Sequence, residues 1–582
     1  MRRNLWTSEF GIISAIVILG FALRFWGISF GLPYLYHPNE PGLVKKALVM
    51  GEKGFNPHWF NYPTFFMYLL FFLYGCYFVI GFFTGIFSSV QDFAYSYFID
   101  PTAFYLIGRG TTALFGTATI ILTYILGKQV FSKRVGMIGS LILAVSIMHV
   151  RHSHYITTDV PSTFFVILSF IFIYRIYYSG RVKDYILAGL FVGLGTATKY
   201  NVGLLLLPIW VAHFLRETEK TDPLHVRTAI FHPRLLISLI TIGLSFFIAS
   251  PFVLIDYKTF LRDFTFEATH MKTGHFGFES VSNGWIYHLT TSLREGMGLW
   301  LLVLAIFGIV LILLRKRKNE VLLLVFPLLH YLIIGSWKTV FSRYTVPMIP
   351  FLCICSAFSL DFLTSMQIFR PRVKTPILSV ALVVLLVGPL FGLARIDYIL
   401  TKKDTRTLAK EWIEANIAQG SLLAFESDRL WQFPQVKKST DQLKKEIQDQ
   451  ENQRRKMELQ YLLNLPIRPS VTYNMFYLGN SSSDVDFDVS RCKSVGVEYF
   501  ISSSRFSSRY LANSSIYHKQ AKFYKDLDEE AYLIKTFSPY PTSEATDETE
   551  SSFFDHLPWM REDGRIRPGP VIKIYKLTDR AS

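Results

Sequence analysis

Acidic and cationic side chains standing where an apolar chain turns are the residues best placed to do chemistry here, and they fall into three groups. The first is Tyr36-His37-Pro38-Asn39-Glu40-Pro41. Asn39 is a good helix cap and Pro41 suits a first turn, which predicts a helix from Glu40 to about Met50. Leu43, Val44, Ala47 and Leu48 would form its apolar face. Glu40 is then either an acid or base at a membrane surface or a carboxylate that only favours the helix N-terminus. The second group is His149-Val-Arg151-His152-Ser153-His154-Tyr155-Ile-Thr157-Thr158-Asp159-Val-Pro161, with more polar groups than a turn requires. His149, His152, His154 and Asp159 match no specific metal-ligand spacing, so a divalent metal is the less favoured reading and no cofactor is called for. The third is a set of cations at span ends: Arg109, Lys199 and Arg343, with Lys338 nearby. A cation deep in an apolar helix costs about 2.5–3.5 kcal/mol on insertion scales, so each needs water, a partner or a lipid phosphate.

What must hold these groups is a membrane. The 582 residues are 51% hydrophobic and 16% aromatic, and runs such as Gly11–Leu23 and Val380–Leu393 are nearly uncharged. The first run, Phe10–Phe30, follows Arg2 and Arg3 and has no clean small-residue cleavage site, which reads as an anchor rather than a removed signal. A net charge of +16 fits cytoplasmic loops and anionic lipids, and no basic stripe with interleaved aromatics points to nucleic acid. Four cysteines are too few for a disulfide framework.

Basic loops mark the cytoplasmic side: 1–3, 128–134, 175–183, 216–234, 315–318 and 370–374. Spans fitted between them run at about 10–30, 104–127, 134–150, 160–178, 184–199, 201–215, 234–254, 297–314, 319–336, 344–366 and 374–395. About eleven crossings from a cytoplasmic N-terminus put the C-terminal part outside the cell. A crossing by Thr64–Phe87 would invert the charge pattern, so that segment is expected to be re-entrant or to lie against the outer interface. Three loops, 31–104, 151–161 and 252–296, then fall together outside and carry most of the unusual residues. From about 396 the composition turns soluble. Thr405–Ile417 reads as an amphipathic helix, Ser421–Phe425, Val497–Ser502 and Val571–Leu577 as strands, Lys437–Leu463 as a charged helical stretch and Pro539–Ser552 as an acidic loop. The expected fold is therefore mainly α, a polytopic membrane bundle over 1–395, with an α/β domain of the multi-pass plasma-membrane protein outside over 396–582.

Carboxylates and cations on one outer face suggest one reaction. A sugar linked through phosphate to a lipid needs a cationic clamp for the departing phosphate and a carboxylate for the proton of an attacking hydroxyl. The alternative, a transporter or flippase of such lipids, would instead place ionisable residues near mid-membrane, often in repeated halves; the sequence shows few of the former and no such repeat.

The chain resembles integral-membrane glycosyltransferases of the GT-C class, in the branch of bacterial protein O-mannosyltransferase-like and lipid A aminoarabinose transferases. The resemblance covers most of residues 1–420. It rests on His37-Pro-Asn-Glu-Pro41, Asn61-Tyr-Pro-Thr64, Gly108-Arg109, Ser153-His154-Tyr…Thr158-Asp159-Val-Pro161 and Ala188-Gly…Gly195…Thr198-Lys199-Tyr-Asn201, in that order. Arg343-Tyr344…Pro347…Pro350 adds weaker support. It implies a polyprenyl- or dolichyl-phosphate sugar donor, a glycan, lipid or protein acceptor, an outward-facing site and inversion at the sugar carbon. Lys199, Arg343 and less securely Arg109 map onto donor-phosphate contacts, and Asn39, His154 and Tyr344 join them as substrate-binding positions. Such enzymes usually carry Asp-Glu in the first outer loop, where this chain has Asn39-Glu40. An amide accepts no proton near neutral pH, so Glu40 or Asp159 takes the role or the chain is a catalytically impaired relative. Glu40 as base, with Asp159 orienting the acceptor or sugar, is the favoured assignment.

Overall fold

The computed structural model describes residues 2–219, 232–276, 278, 281–367, 370–467, 469–479, 487–541 and 564–577. The bundle's helices are α1 (Arg2–Phe25), α2 (Glu40–Lys53), α3 (Phe65–Phe83), α4 (Val90–Ile99), α5 (Thr102–Val130), α6 (Lys133–Ala144), α7 (Ile147–His152) and α8 (Asp159–Ser179). They continue with α9 (Val182–Thr196), α10 (Leu206–Thr218), α11 (Pro233–Ala249), α12 (Tyr257–Thr273), α13 (Leu299–Arg315), α14 (Lys318–Gly335), α15 (Ile349–Ser365) and α16 (Pro371–Leu400).

Each expected span falls on helix, but the segments are less uniform than a run of apolar residues suggests. Among the described residues six helices are long and apolar enough to cross a membrane by themselves, or seven counting the pair 284–297 and 299–315, bent by 115°. The span expected over 134–150 is two helices broken at Val145 and Ser146, and the one at 201–215 begins as a 3-10 turn over Tyr200–Leu205. A 12-residue helix such as α6 reaches only about 18 Å, so irregular backbone completes it. Irregular backbone is tolerated at membrane depth only where protein buries it, and residues 143–160 are buried throughout.

The two ends of the bundle differ. At one end the basic turns meet: Glu9 pairs with Lys128 (3.0 Å) and Lys133 (2.6 Å), Arg134 with Asp361 (3.3 Å), and Lys318 with Glu219 (3.6 Å). Residues 220–231 of the expected basic loop lie outside the described residues. At the other end the three long loops gather beneath the C-terminal domain. α3 is by itself long and apolar enough to cross a membrane. Its start is held by Phe65 N–H to Ala197 O (3.0 Å) and Thr64 Oγ1 to Ala249 O (3.1 Å). Beyond its far end, α4 stacks Phe98 on Tyr461 of the C-terminal domain (5.2 Å between centroids).

The C-terminal part folds around a five-stranded sheet ordered β2-β1-β3-β5-β4, where β1 is Leu422–Ser427, β2 Asn474–Gly479, β3 Tyr499–Ser503, β4 Tyr532–Phe537 and β5 Ile572–Lys576. The first three are parallel and β5 runs antiparallel to both neighbours. Parallel pairing demands crossover helices, and α17 (Thr405–Asn416), α18 (Thr440–Asp449), α19 (Gln453–Leu463), α20 (Val489–Val495), α21 (Ser504–Ala512) and α22 (His518–Glu530) surround it. The expected helix over Thr405–Ile417 is α17, and the charged stretch is α18 plus α19, divided at Gln450–Asn452. Residues 542–552 of the expected acidic loop lie outside the described residues.

This domain is seated on the loop that follows α1. The Arg406 guanidinium lies 3.9 Å over the Tyr36 ring, Tyr36 and Thr407 share a 2.9 Å hydroxyl contact, and Gln435 donates to Leu35 O (2.8 Å). Arg406 is fully buried and bonds both Asp404 oxygens at 2.7 and 2.6 Å. Phe276 from the third loop packs on Tyr510 (5.2 Å).

Candidate active site

Glu40 opens α2 with Asn39 before it, as the Pro41 pattern predicts, although the Asn39 side chain makes no cap bond. Instead Asn39 N–H bonds His37 Nδ1 (3.3 Å), and Asn39 remains half-buried. The Glu40 carboxylate is wholly buried and faces Arg109 of α5. Arg109 Nε donates to Oε1 at 2.8 Å and Nη2 to Oε2 at 2.7 Å. Ile156 N–H donates to Oε1 as well (3.0 Å). Arg109 Nη1 spans the carbonyls of Ile28 and Phe30, both at 2.8 Å. One bidentate pair thereby joins the end of the first span, α2, α5 and the 151–161 loop. Both Glu40 carboxylate oxygens are thereby engaged by hydrogen-bond donors.

Asp159 is differently placed. It begins α8, 3% exposed, and Lys199 Nζ reaches Oδ1 at 2.5 Å. Lys199 leaves α9 on extended backbone (φ −155°) before the 3-10 turn, a tight reversal that needs Gly195. A Cβ there would meet Val202 Cγ1 at 2.6 Å and Phe165 Cβ at 2.9 Å. Lys199 Nζ lies 5.4 Å over the Tyr344 ring, and the Arg343 guanidinium lies over Phe341 (3.9 Å) and Tyr344 (5.5 Å). Lys199, Arg343 and His152 act electrostatically on Asp159. Lys199 and Arg343 keep part of their surface open while Asp159 does not. His37 stacks on Tyr155 (4.4 Å), and burial together with Arg109 and Arg343 holds its imidazole neutral, well below the ordinary histidine range.

The structure thus gathers Asp159, Lys199, Arg343 and Tyr344, and sets Glu40 with Arg109 as a separate pair. His154 belongs to neither. Its nitrogens meet Trp26 O (2.8 Å) and Val150 O (3.0 Å), and Asp397 of α16 stands 3.5 Å away. His149 Nδ1 contacts Arg24 at 3.0 Å. No group of three or more metal-binding side chains occurs among the described residues.

Two acidic residues escaped the sequence reading. Asp263 accepts Phe60 N–H (2.7 Å), and Glu267 accepts from Asn61 Nδ2 (2.6 Å) and acts electrostatically on Tyr344. They fix the Asn61-Tyr-Pro-Thr64 stretch against the third loop. Asp263, Glu267 and His270 recur at i, i+4 and i+7 along α12, a pattern visible in the sequence had that loop been read as helix.

Residues 107–249 match the family described as dolichyl-phosphate-mannose-protein mannosyltransferase, a quarter of the chain. A protein of Aquifex aeolicus (strain VF5), itself described as uncharacterized, is 34% identical over 105 residues, 18% of this chain and 20% of that one. The oligosaccharyltransferase of Archaeoglobus fulgidus in its apo form has a similar fold, with a TM-score of 0.52 at 12% identity over 91% of this chain and 73% of that chain. ArnT from Cupriavidus metallidurans in the apo state aligns more loosely, with a TM-score of 0.45 at 12% identity over 92% and 97%.

Proposed function

We propose that the chain is a membrane glycosyltransferase of the GT-C class, and that it transfers a sugar from a polyprenyl- or dolichyl-phosphate donor to a hydroxyl acceptor at the outer face of the plasma membrane. The observation that carries this reading is the Asp159–Lys199 pair with Arg343 beside it, at the meeting of α8, α9 and the 342–348 turn. Lys199 and Arg343 hold the donor phosphate. As the bond from the sugar carbon to the phosphate oxygen breaks, charge grows on that oxygen, and fixed cations stabilise it most when water is scarce. The acceptor oxygen bonds the sugar carbon from the opposite side, inverting it, and its proton passes to Asp159. Lys199 exchanges carboxylate for phosphate as the donor arrives, freeing an Asp159 oxygen for the hydroxyl.

This assignment moves the base from Glu40, the favoured expectation, to Asp159. Asn39 cannot accept a proton, and the Glu40 lone pairs are engaged by Arg109 and Ile156. Glu40 becomes a positioning residue that fixes the loop carrying His37. His154 acts the same way on the opposite side of the site, holding α7 to the first span and α16. Donor binding supplies the test. Titrating purified protein in nanodiscs with a radiolabelled lipid-phosphate sugar should show Lys199→Ala and Arg343→Ala each weakening affinity about 10–100-fold, the loss of one charge-assisted contact. Unchanged affinity in both variants would remove the proposed phosphate site.

A further inference from the structure

A second feature at the same end of the bundle is used by none of this chemistry. A cavity of about 920 Å³ opens between α2, α3, α4 and α19, within the range of natural ligand cavities, and Asp159, Lys199 and Arg343 do not line it. Its walls are aromatic: Phe71, Tyr74 and Phe78 from α3, Phe93 and Phe98 from α4, and Tyr461 from α19. Its rim is cationic. Lys45 is neutralised by Glu458, which also takes Arg455 at 2.9 Å. Lys46 and Arg454 have no ion pair among the described residues. Lys46 Nζ stands 5.7 Å over the Trp59 ring, and Arg454 Nη1 is held by Pro57 O at 2.5 Å. Burial and the like charge of Arg454 pull the Lys46 ammonium down to about 8, and Asp263 opposes them only weakly. Two partly desolvated cations, one from the membrane part and one from the C-terminal domain, are thus held together against their repulsion. Beside them α3 offers apolar surface, with Phe72, Ile80 and Phe83 exposed.

An apolar cavity whose lining carries two cations with no ion pair among the described residues matches one class of molecule in a membrane. We propose that this cavity binds a lipid with an anionic phosphate head, the tail against the rings of α3 and α4 and the phosphate between Lys46 and Arg454, so that the lipid fastens the C-terminal domain to the first outer loop. The bridge relieves the repulsion that otherwise opposes seating of the domain, and it holds whether or not the Asp159 site transfers a sugar.

The test uses the full-length protein in nanodiscs with lipids bearing a photoreactive group in the tail, and the crosslinked peptides mapped by mass spectrometry. Phosphatidylglycerol should label the peptides of α2, α3, α4 and α19 about tenfold more than phosphatidylcholine, the ratio one charge-assisted contact gives. Lys46→Gln with Arg454→Gln should bring the two to equal labelling while labelling elsewhere on the bundle is unchanged. Competition with unlabelled polyprenyl phosphate identifies the source. Displacement assigns the cavity to the carrier lipid and resistance assigns it to bilayer phospholipid, and either supports a site for a phosphate-headed lipid. Equal labelling by phosphatidylcholine in the native protein, or phosphatidylglycerol labelling unaltered by the double variant, would overturn the proposal.

Discussion

Replacing Glu40 by glutamine separates a base from a brace. In the native protein both partners of the Glu40–Arg109 pair have no exposed side-chain surface, and Arg109 makes two bonds to the carboxylate and two to carbonyls. Glutamine keeps the shape and one acceptor oxygen, so Ile156 N–H and one guanidinium nitrogen retain a partner. What it removes is the countercharge, and a buried pair broken on one side typically costs about 3–5 kcal/mol because the remaining ion cannot be rehydrated. At 1.36 kcal/mol per decade the folded-to-unfolded ratio drops about 10²–10⁴-fold. Glu40→Gln should therefore lower the melting temperature of the purified protein by several degrees. Adding Arg109→Gln should restore part of the loss, since the stranded charge goes with it, and a double-mutant cycle reads that coupling. Transfer per folded molecule should fall less than about tenfold, far short of the 10²–10⁴ that a general base supplies. A variant that melts like the native protein but has lost transfer would refute the reasoning and make Glu40 the base.

Three further outcomes follow from the geometry. Arg406→Ala leaves the fully buried Asp404 without its cation and removes the contact with Tyr36, so the C-terminal domain should lose about 3–5 kcal/mol and be cleaved from the bundle by protease at lower enzyme concentrations. Glu426, at the end of β1, is raised to about 7 by burial, with Ser502, Ser503 N–H and Tyr524 all on its Oε1. Its folded form binds a proton that the unfolded chain has released above about 4.5, so stability falls as pH rises from about 4.5 to 7. Glu426→Gln should flatten that dependence, read by hydrogen exchange of β1 and β3 amides across the range. Asn39→Asp, which sets a second carboxylate beside Glu40, should change transfer by less than about tenfold if Asp159 already supplies the base, whereas a gain of 10² or more would show the base was missing.

The membrane bundle was legible because bilayer length leaves its trace in any window of sequence. So were α2 and α8, whose starts carry Pro41 and Pro161, residues favoured in a first turn. The interruptions at Val145–Ser146 and Tyr200–Leu205 were not legible, since a buried break keeps its apolar residues. In the soluble domain β1, β3 and β5 stood out as apolar or alternating runs, but β4 (Tyr532–Phe537) is mostly exposed and β2 is only half-buried, so neither advertised a core face. At the site, the sequence favoured Glu40 as base with Asp159 orienting the acceptor or sugar, since neither carboxylate's partner shows in the sequence. What divides them is partner geometry, Arg109 with two bonds on one and Lys199 with one on the other, and such pairings join residues 69 and 40 positions apart.

The central claim is that Asp159 accepts the acceptor's proton beside a phosphate held by Lys199 and Arg343. Its most direct measurement is single-turnover transfer from a radiolabelled lipid-phosphate sugar by native protein and Asp159→Asn, with donor affinity taken from the same preparations. The account predicts a rate about 10²–10⁴-fold lower in the variant, with donor bound at least as tightly because Lys199 no longer faces a competing carboxylate. Transfer at the native rate by Asp159→Asn would contradict it.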